Sequence, residues 1–372
     1  MKEVKKMNIG KKYGLILAGG GAKGAYQMGA WQAMREMNIS FCAIAGVSIG
    51  AINGALIASD DFKNALHLWN NVTIDKGVRI EGELRDPENL FSFRNYAALF
   101  KEFIRNGGID ASPTRDYLSQ YISEEKVRKS EIPYGIVTYQ LSHMKPLELF
   151  IDDIPEGELI DYILASAKFP GVSNIGPEGE WFLDGGAYDN APISMLRKRG
   201  INRLIVVDIS SIKGIAHQQD FSCAEVVYIR PYDIDDLGAS FNFDDEMIEK
   251  RIKLGYYDTK KAFGKLAGNI FYFKLPAFSN LIKHYGCEAV LELEELGYKI
   301  GLDRLKIYKE KDFLSELKTL YLEKLEESFE HETRENGFMN KLKRNIKNQI
   351  SNFRNSDEDF ALALSVLDDI IV

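Results

Sequence analysis

Residues 46–50 read Gly46-Val47-Ser48-Ile49-Gly50, a G-x-S-x-G pentapeptide set between an apolar run and a helix-like run. A serine that attacks a carbonyl must project from a tight strand-to-helix turn. Glycines on both sides remove the side chains that would collide there. Upstream, residues 41–45 suit a short buried strand; downstream, 49–59 suit a packed helix, weakened by Asn53 and Gly54. In this context Ser48 is a candidate nucleophile for covalent acyl transfer, with a plain glycine-rich turn as the bland alternative.

A second glycine cluster, Gly19-Gly20-Gly21-Ala22-Lys23-Gly24, has G-x-G-x-x-G spacing between a strand-like run at 13–18 and a helical run at 25–37. A dinucleotide site of that form needs an acidic residue closing the second strand about twenty residues on. Here the second strand runs into Gly46-Val47-Ser48 instead, and the dinucleotide reading loses its support. The loop also lacks the Walker A pattern. As an anion cradle it makes better chemical sense. Acyl transfer builds negative charge on a carbonyl oxygen, and backbone N–H groups at a helix start are placed to receive it. Losing one such donor typically costs on the order of 100- to 1,000-fold in rate.

A serine nucleophile needs a base. The five histidines, His67, His143, His217, His284 and His331, stand in no sharp strand-end or glycine-rich setting. The strongest acidic candidate is Asp184, where Trp181-Phe182-Leu183 runs into Asp184-Gly185-Gly186. A short apolar strand there ends in a carboxylate and two glycines turn the chain beneath it; an ordinary Asp-Gly turn is the alternative.

These three pieces, together with Ala165-Ser166-Ala167-Lys168-Phe169-Pro170, stand in the order and context of the patatin-like phospholipases, which the chain resembles. The resemblance covers 13–210 by motif. It extends loosely to about 264 through Lys253-Leu254-Gly255-Tyr256-Tyr257-Asp258. It implies hydrolysis of fatty-acyl esters of phospholipids or related lipids through an acyl-enzyme. It further implies a Ser–Asp dyad of Ser48 and Asp184 with no histidine, no metal and no cofactor. Gly20 and Gly21 would supply oxyanion donors within the substrate-binding loop of Gly19, Gly20, Gly21, Lys23 and Gly24. Gly46, Gly50, Gly185 and Gly186 would shape the two turns. Lys23 stands where the family usually has arginine, which keeps the charge and loses the planar fork. A thioesterase or transacylase on the same dyad, and a non-catalytic lipid-binding regulator, are the competing readings.

The elements that must position these residues alternate along the first half of the chain. Strand-like runs at 134–139, 147–151, 181–183, 203–209 and 225–229 join the two at the motifs. Alternation with helical runs predicts an α/β fold, a mostly parallel central sheet flanked by helices. Residues 60–130 read as polar and helical, broken at Pro87, Gly107-Gly108 and Pro113, and raise the question of a lid. After 264 the character changes to a helical appendage. A charged helix at 311–332 carries Leu314, Leu317, Tyr321, Leu325 and Phe329 on one side. Residues 337–354 combine an apolar stripe with five cations, and 360–372 are strongly apolar. The basic stretch is a candidate contact for anionic lipid surfaces, with outward-pointing cations on a docked helix as the alternative.

Bulk properties narrow the classes. With 372 residues, 45% of them apolar, the chain suits one large α/β domain plus the appendage. A net charge of −8 argues against nucleic acid. Three scattered cysteines, Cys42, Cys223 and Cys287, form no disulfide framework, which fits a reducing compartment. The lysine-rich segment 1–12 reads as a solvated tail rather than an export signal, and no run approaches the ~20 apolar residues of a membrane span. The expectation is a cytoplasmic protein, with contact at the membrane surface left to 337–354.

Overall fold

The computed structural model describes residues 12–72, 112–167, 182–210, 223–240, 242–336 and 360–371. It separates into two units, Met1–Phe263 and Gly264–Val372.

In the first unit, β1 (Lys12–Leu17) leads through a 3-10 turn at Gly21–Gly24 into α1 (Ala25–Glu36). Lys12 thus belongs to the sheet. Then come β2 (Ser40–Val47), α2 (Ile49–Ala58) and α3 (Phe62–Asn71). Two short helices, α4 (Ser112–Ser119) and α5 (Glu124–Arg128), precede β3 (Tyr134–Gln140) and β4 (Lys145–Phe150). The remaining elements are α6 (Leu159–Ser166), β5 (Phe182–Asp184), α7 (Ile193–Arg197), β6 (Arg203–Val207), β7 (Glu225–Ile229) and α8 (Asp245–Ala262).

The sheet runs β4-β3-β2-β1-β6-β7, with β5 also paired to β3. Five strands are parallel, as the alternation predicts; β4 and β5 run antiparallel to β3. Strands covered on both faces read as continuous apolar runs. Ile16, Ala43, Ala45, Val47, Val137, Leu204 and Val206 share one buried cluster with Ile193, Met195 and Leu196 of α7. The alternate residues Leu15, Leu17, Ile44, Ile205 and Val207 are buried as well, on the opposite face by the period of two. Helix α8 starts where the sequence provides a cap: Asp244 accepts from the N–H groups of Glu246 and Met247, and Lys260 and Lys261 sit in its last turn. Tyr26 on α1 donates to Asp258 on α8 at 2.8 Å, tying these two helices together.

The second unit is built on β8 (Tyr272–Phe273), α9 (Leu275–Tyr285), α10 (Cys287–Ile300), β9 (Ile307–Tyr308), α11 (Glu310–Asn336) and α12 (Ala361–Ile371). Leu314, Leu317, Tyr321 and Leu325 of the predicted stripe enter its core, and so do Ala363, Leu364 and Leu367 of the apolar C-terminal run. Glu294 is fully buried and accepts the N–H groups of Asn269, Ile270 and Phe271 at 2.9 to 3.0 Å, so its charge is met by three amides. Among the described residues no helix is long and apolar enough to cross a membrane. The 73–111 part of the lid question, Lys168 to Pro170 of the fourth motif block, Trp181, His217 and the basic stretch 337–354 lie outside the described residues.

Candidate active site

Strand β3 acts as the ruler of the site. β2 lies parallel along it as far as the pair Val47 and Val137. β4 takes the other edge, pairing with residues 135–140. β5 therefore lies on the β2 side, antiparallel, with Asp184 opposite Thr138. The two strands run toward each other and end at adjacent β3 residues, so the residue after Val47 meets the last residue of β5. There the Ser48 hydroxyl acts on the Asp184 carboxyl and pulls its titration down.

Ser48 carries the strain of a sharp elbow. Its φ of 55° and ψ of −127° are unusual for a residue with a side chain, a conformation that costs on the order of 1–3 kcal/mol. Surrounding groups hold it there. The Ser48 N–H donates to Ser166 Oγ at 2.9 Å, and the Ser166 hydroxyl donates onward to the Val137 carbonyl at 2.6 Å. Thr138 Oγ1 donates to the Ala165 carbonyl at 2.9 Å, fixing the end of α6 against β3. The flanking glycines are required by close approach: a Cβ on Gly46 would collide with the Gly50 carbonyl, and one on Gly50 with the Leu17 carbonyl.

Ser48 is buried and Asp184 half-buried. Burial raises the Asp184 carboxyl to about 6, against the pull of the Ser48 hydroxyl and of the Gly186 N–H, which donates to it at 2.7 Å. A carboxylate so raised is a stronger proton acceptor than a solvated one and is still ionised at neutral pH.

The glycine loop lies beside the elbow, where a Cβ on Gly19 would stand 3.1 Å from Ser48 Cβ. The Gly19 N–H donates to the Asn190 carbonyl at 3.3 Å, and Asn190 Nδ2 donates back to the Gly19 carbonyl at 3.2 Å. The Ala22 N–H goes to the Ser240 carbonyl at 2.6 Å and the Lys23 N–H to the Gly20 carbonyl at 3.3 Å. Among the described residues no acceptor takes the N–H groups of Gly20 and Gly21. Gly21 has φ of +60° and its Cα faces the Ser240 carbonyl, so no other residue fits. Gly24 packs beneath Ile49 and Trp69, and its carbonyl accepts from Asn53 Nδ2 at 3.0 Å. Lys23 is buried, and its ammonium is depressed by that burial and by nearby Arg251.

Sequence reasoning missed the groups that brace these parts. Ser166 sits inside a quoted motif block and Asn190 four residues beyond another, which marked their neighbourhood but not their hydrogen bonds. A buried amide network left no sequence signal. Gln27 Nε2 donates to the Ala18 carbonyl at 2.7 Å, Asn53 Nδ2 to Gln27 Oε1 at 2.8 Å, and Trp69 Nε1 to Asn53 Oδ1 at 3.0 Å. It ties both ends of the glycine loop to α2. The histidines that can be placed stand elsewhere: His67 against Tyr121, His143 beside Ser142 and His284 paired with Glu310. Among the described residues no group of three or more His, Cys, Asp or Glu is arranged to hold a metal ion.

An α/β sheet that presents a serine on a strained strand–helix elbow, beside a carboxylate and a glycine loop, defines the class of this domain. Residues 15–197 match the family model Patatin-like phospholipase, which makes this segment a patatin-like phospholipase domain. It is 25% identical over 314 residues to lysophospholipase NTE1 of Cryptococcus neoformans var. neoformans serotype D, covering 81% of this chain and 17% of that protein. It is also 25% identical over 209 residues to patatin-like phospholipase domain-containing protein 7 of Mus musculus, covering 55% and 14%. The chain thus spans less than a fifth of the length of either relative. Among solved structures it is similar to VipD from Legionella pneumophila, at 14% identity and a TM-score of 0.39 over 97% of this chain and 84% of that one.

Proposed function

We propose that this chain is a serine lipid acyl hydrolase that cleaves fatty-acyl ester bonds of phospholipids or lysophospholipids, with Ser48 as nucleophile and Asp184 as base. The observation that carries the reading is the register that ends β2 and β5 at adjacent residues of β3, which sets Ser48 beside a carboxyl raised by burial to about 6 against the pull of the serine hydroxyl. Lipid esters are favoured because the relatives bear the names lysophospholipase and patatin-like phospholipase.

In the proposed course the Asp184 carboxylate takes the Ser48 proton as Oγ attacks the ester carbonyl carbon. The oxygen that becomes anionic is received by the N–H groups of Gly20 and Gly21. The tetrahedral intermediate collapses, the alcohol leaves with the proton from Asp184, and the acyl group stays on Ser48. A water then attacks the acyl carbon while Asp184 takes its proton, releasing the fatty acid and restoring the serine. The reading includes action from the cytoplasmic side at a lipid surface.

The test is product analysis of a total lipid extract incubated with wild type and Ser48→Ala. Free fatty acid and a deacylated lipid should form with the first and not with the second. Acyl transfer to an added alcohol, or turnover of acyl-CoA alone, would move the chain to the transacylase or thioesterase reading.

A further inference from the structure

Arg251 lies outside the family-matched segment, on α8, and is completely buried. Its guanidinium donates to four main-chain carbonyls: Nε to Leu237 at 2.7 Å, one terminal nitrogen to Ala22 at 3.2 Å and Asn242 at 2.6 Å, the other to Ala239 at 2.9 Å. Three of these carbonyls flank Ser240, whose own carbonyl accepts the Ala22 N–H and faces Gly21. One side chain thus grips both the glycine loop and the segment that backs it. Only the planar fork of arginine reaches four acceptors in this way.

The charge is as notable as the shape. Among the described residues no carboxylate pairs with Arg251; Asp244 acts on it from further away, and its burial lowers it to about 10. Lys23, buried in the same loop, is depressed by Arg251, while Asp235 acts on Lys23 in the opposite sense. Two cations held within reach of each other inside a protein are costly, and neutral carbonyls do not cancel their field. Asp244 and Asp235 offset part of that cost, and an oxyanion forming at the glycine loop would offset more of it.

We propose that Arg251 is a positioning residue for the oxyanion amides of Gly20 and Gly21, holding their loop by its fork and strengthening the site by its charge; this rests on the acyl-hydrolase reading above. Its effect falls on the transition state and spares the ground state.

The test compares full-length wild type, Arg251→Lys and Arg251→Met. Three quantities are read: kcat and KM on a p-nitrophenyl ester, affinity for a trifluoromethyl ketone that forms an anionic tetrahedral adduct on serine, and thermal melting. Arg251→Met should lose about 100- to 1,000-fold in kcat and in ketone affinity together, with KM changed less than about threefold. Arg251→Lys, keeping charge without the fork, should fall between. A folded Arg251→Met with wild-type kcat and ketone affinity would overturn the proposal, and so would equal losses in substrate binding and turnover. If Arg251→Met fails to fold, Arg251→Lys decides: wild-type kcat and ketone affinity in it overturn the proposal. Failure of wild type itself to turn over the ester or bind the ketone is a different result, which removes the hydrolase reading and this proposal with it.

Discussion

Val47 and Asp184 sit at consecutive positions along one edge of β3, opposite Val137 and Thr138, and this register sets Ser48, the next residue, at the end of the strand that carries Asp184. Two strands of opposite direction, more than 130 residues apart in the chain, are aligned end to end by a third. The proximity of the two residues is thus a consequence of sheet pairing.

The raised Asp184 sets a pH dependence. Its carboxyl must be ionised to accept the serine proton, and burial has moved its titration to about 6. The kcat/KM profile should have an acid limb with a midpoint near that value, falling about tenfold per pH unit below it. A profile flat down to the range of a solvated carboxylate, near ~4, would remove Asp184 as the base.

Asp184 also links function to stability. Its folded-state value lies above the unfolded one, so the folded protein binds the extra proton between the two values. Stability then falls as pH rises from about 4 to about 6 and stays lower above it. Asp184→Asn removes the buried charge. It should therefore stabilise the protein at pH 8 by about 1–3 kcal/mol, with the gain fading to nothing near pH 4, while turnover is lost. Melting curves of both proteins at these two pH values check this; a variant less stable at pH 8 would contradict the desolvation account.

Ser166→Ala deletes the acceptor for the Ser48 N–H, a buried donor in a strained residue. The cost should be about 1–3 kcal/mol in urea unfolding, with turnover reduced at least about tenfold because the elbow can relax. Unchanged kinetics would mean that backbone packing alone holds Ser48.

The amide network makes a separate prediction. Asn53→Leu removes hydrogen bonds to the Gly24 carbonyl, to Gln27 and from Trp69, leaving their partners buried. Destabilisation of about 3 kcal/mol or more should follow, whereas Trp69→Phe, which leaves one acceptor unmet, should cost about 1–2 kcal/mol. Equal effects would show that the network is not shared in this way.

The sequence carried the local parts of this picture well. The elbow, the glycine loop and the Asp184 turn are each a few adjacent residues whose shapes follow from glycine and from apolar runs. The central parallel strands β1, β2 and β6 were legible because burial on both faces makes them apolar almost throughout. Strand direction was not legible: Leu147 or Phe182 reads the same whichever way its strand pairs with β3, and direction there is set by long-range register. Ser166, Asn190 and Arg251 were unreadable as braces for a related reason. Each grips a main-chain group far away in the chain, at Ser48, Gly19 and Ala22 respectively, and a main-chain group has no sequence signature.

The most direct test of the central claim is labelling with a fluorophosphonate probe, followed by mass spectrometry of the modified peptide. A single adduct should form on Ser48, absent in Ser48→Ala and at least about a hundredfold slower to form in Asp184→Asn. An adduct on another residue, or equal labelling of Asp184→Asn, would contradict it.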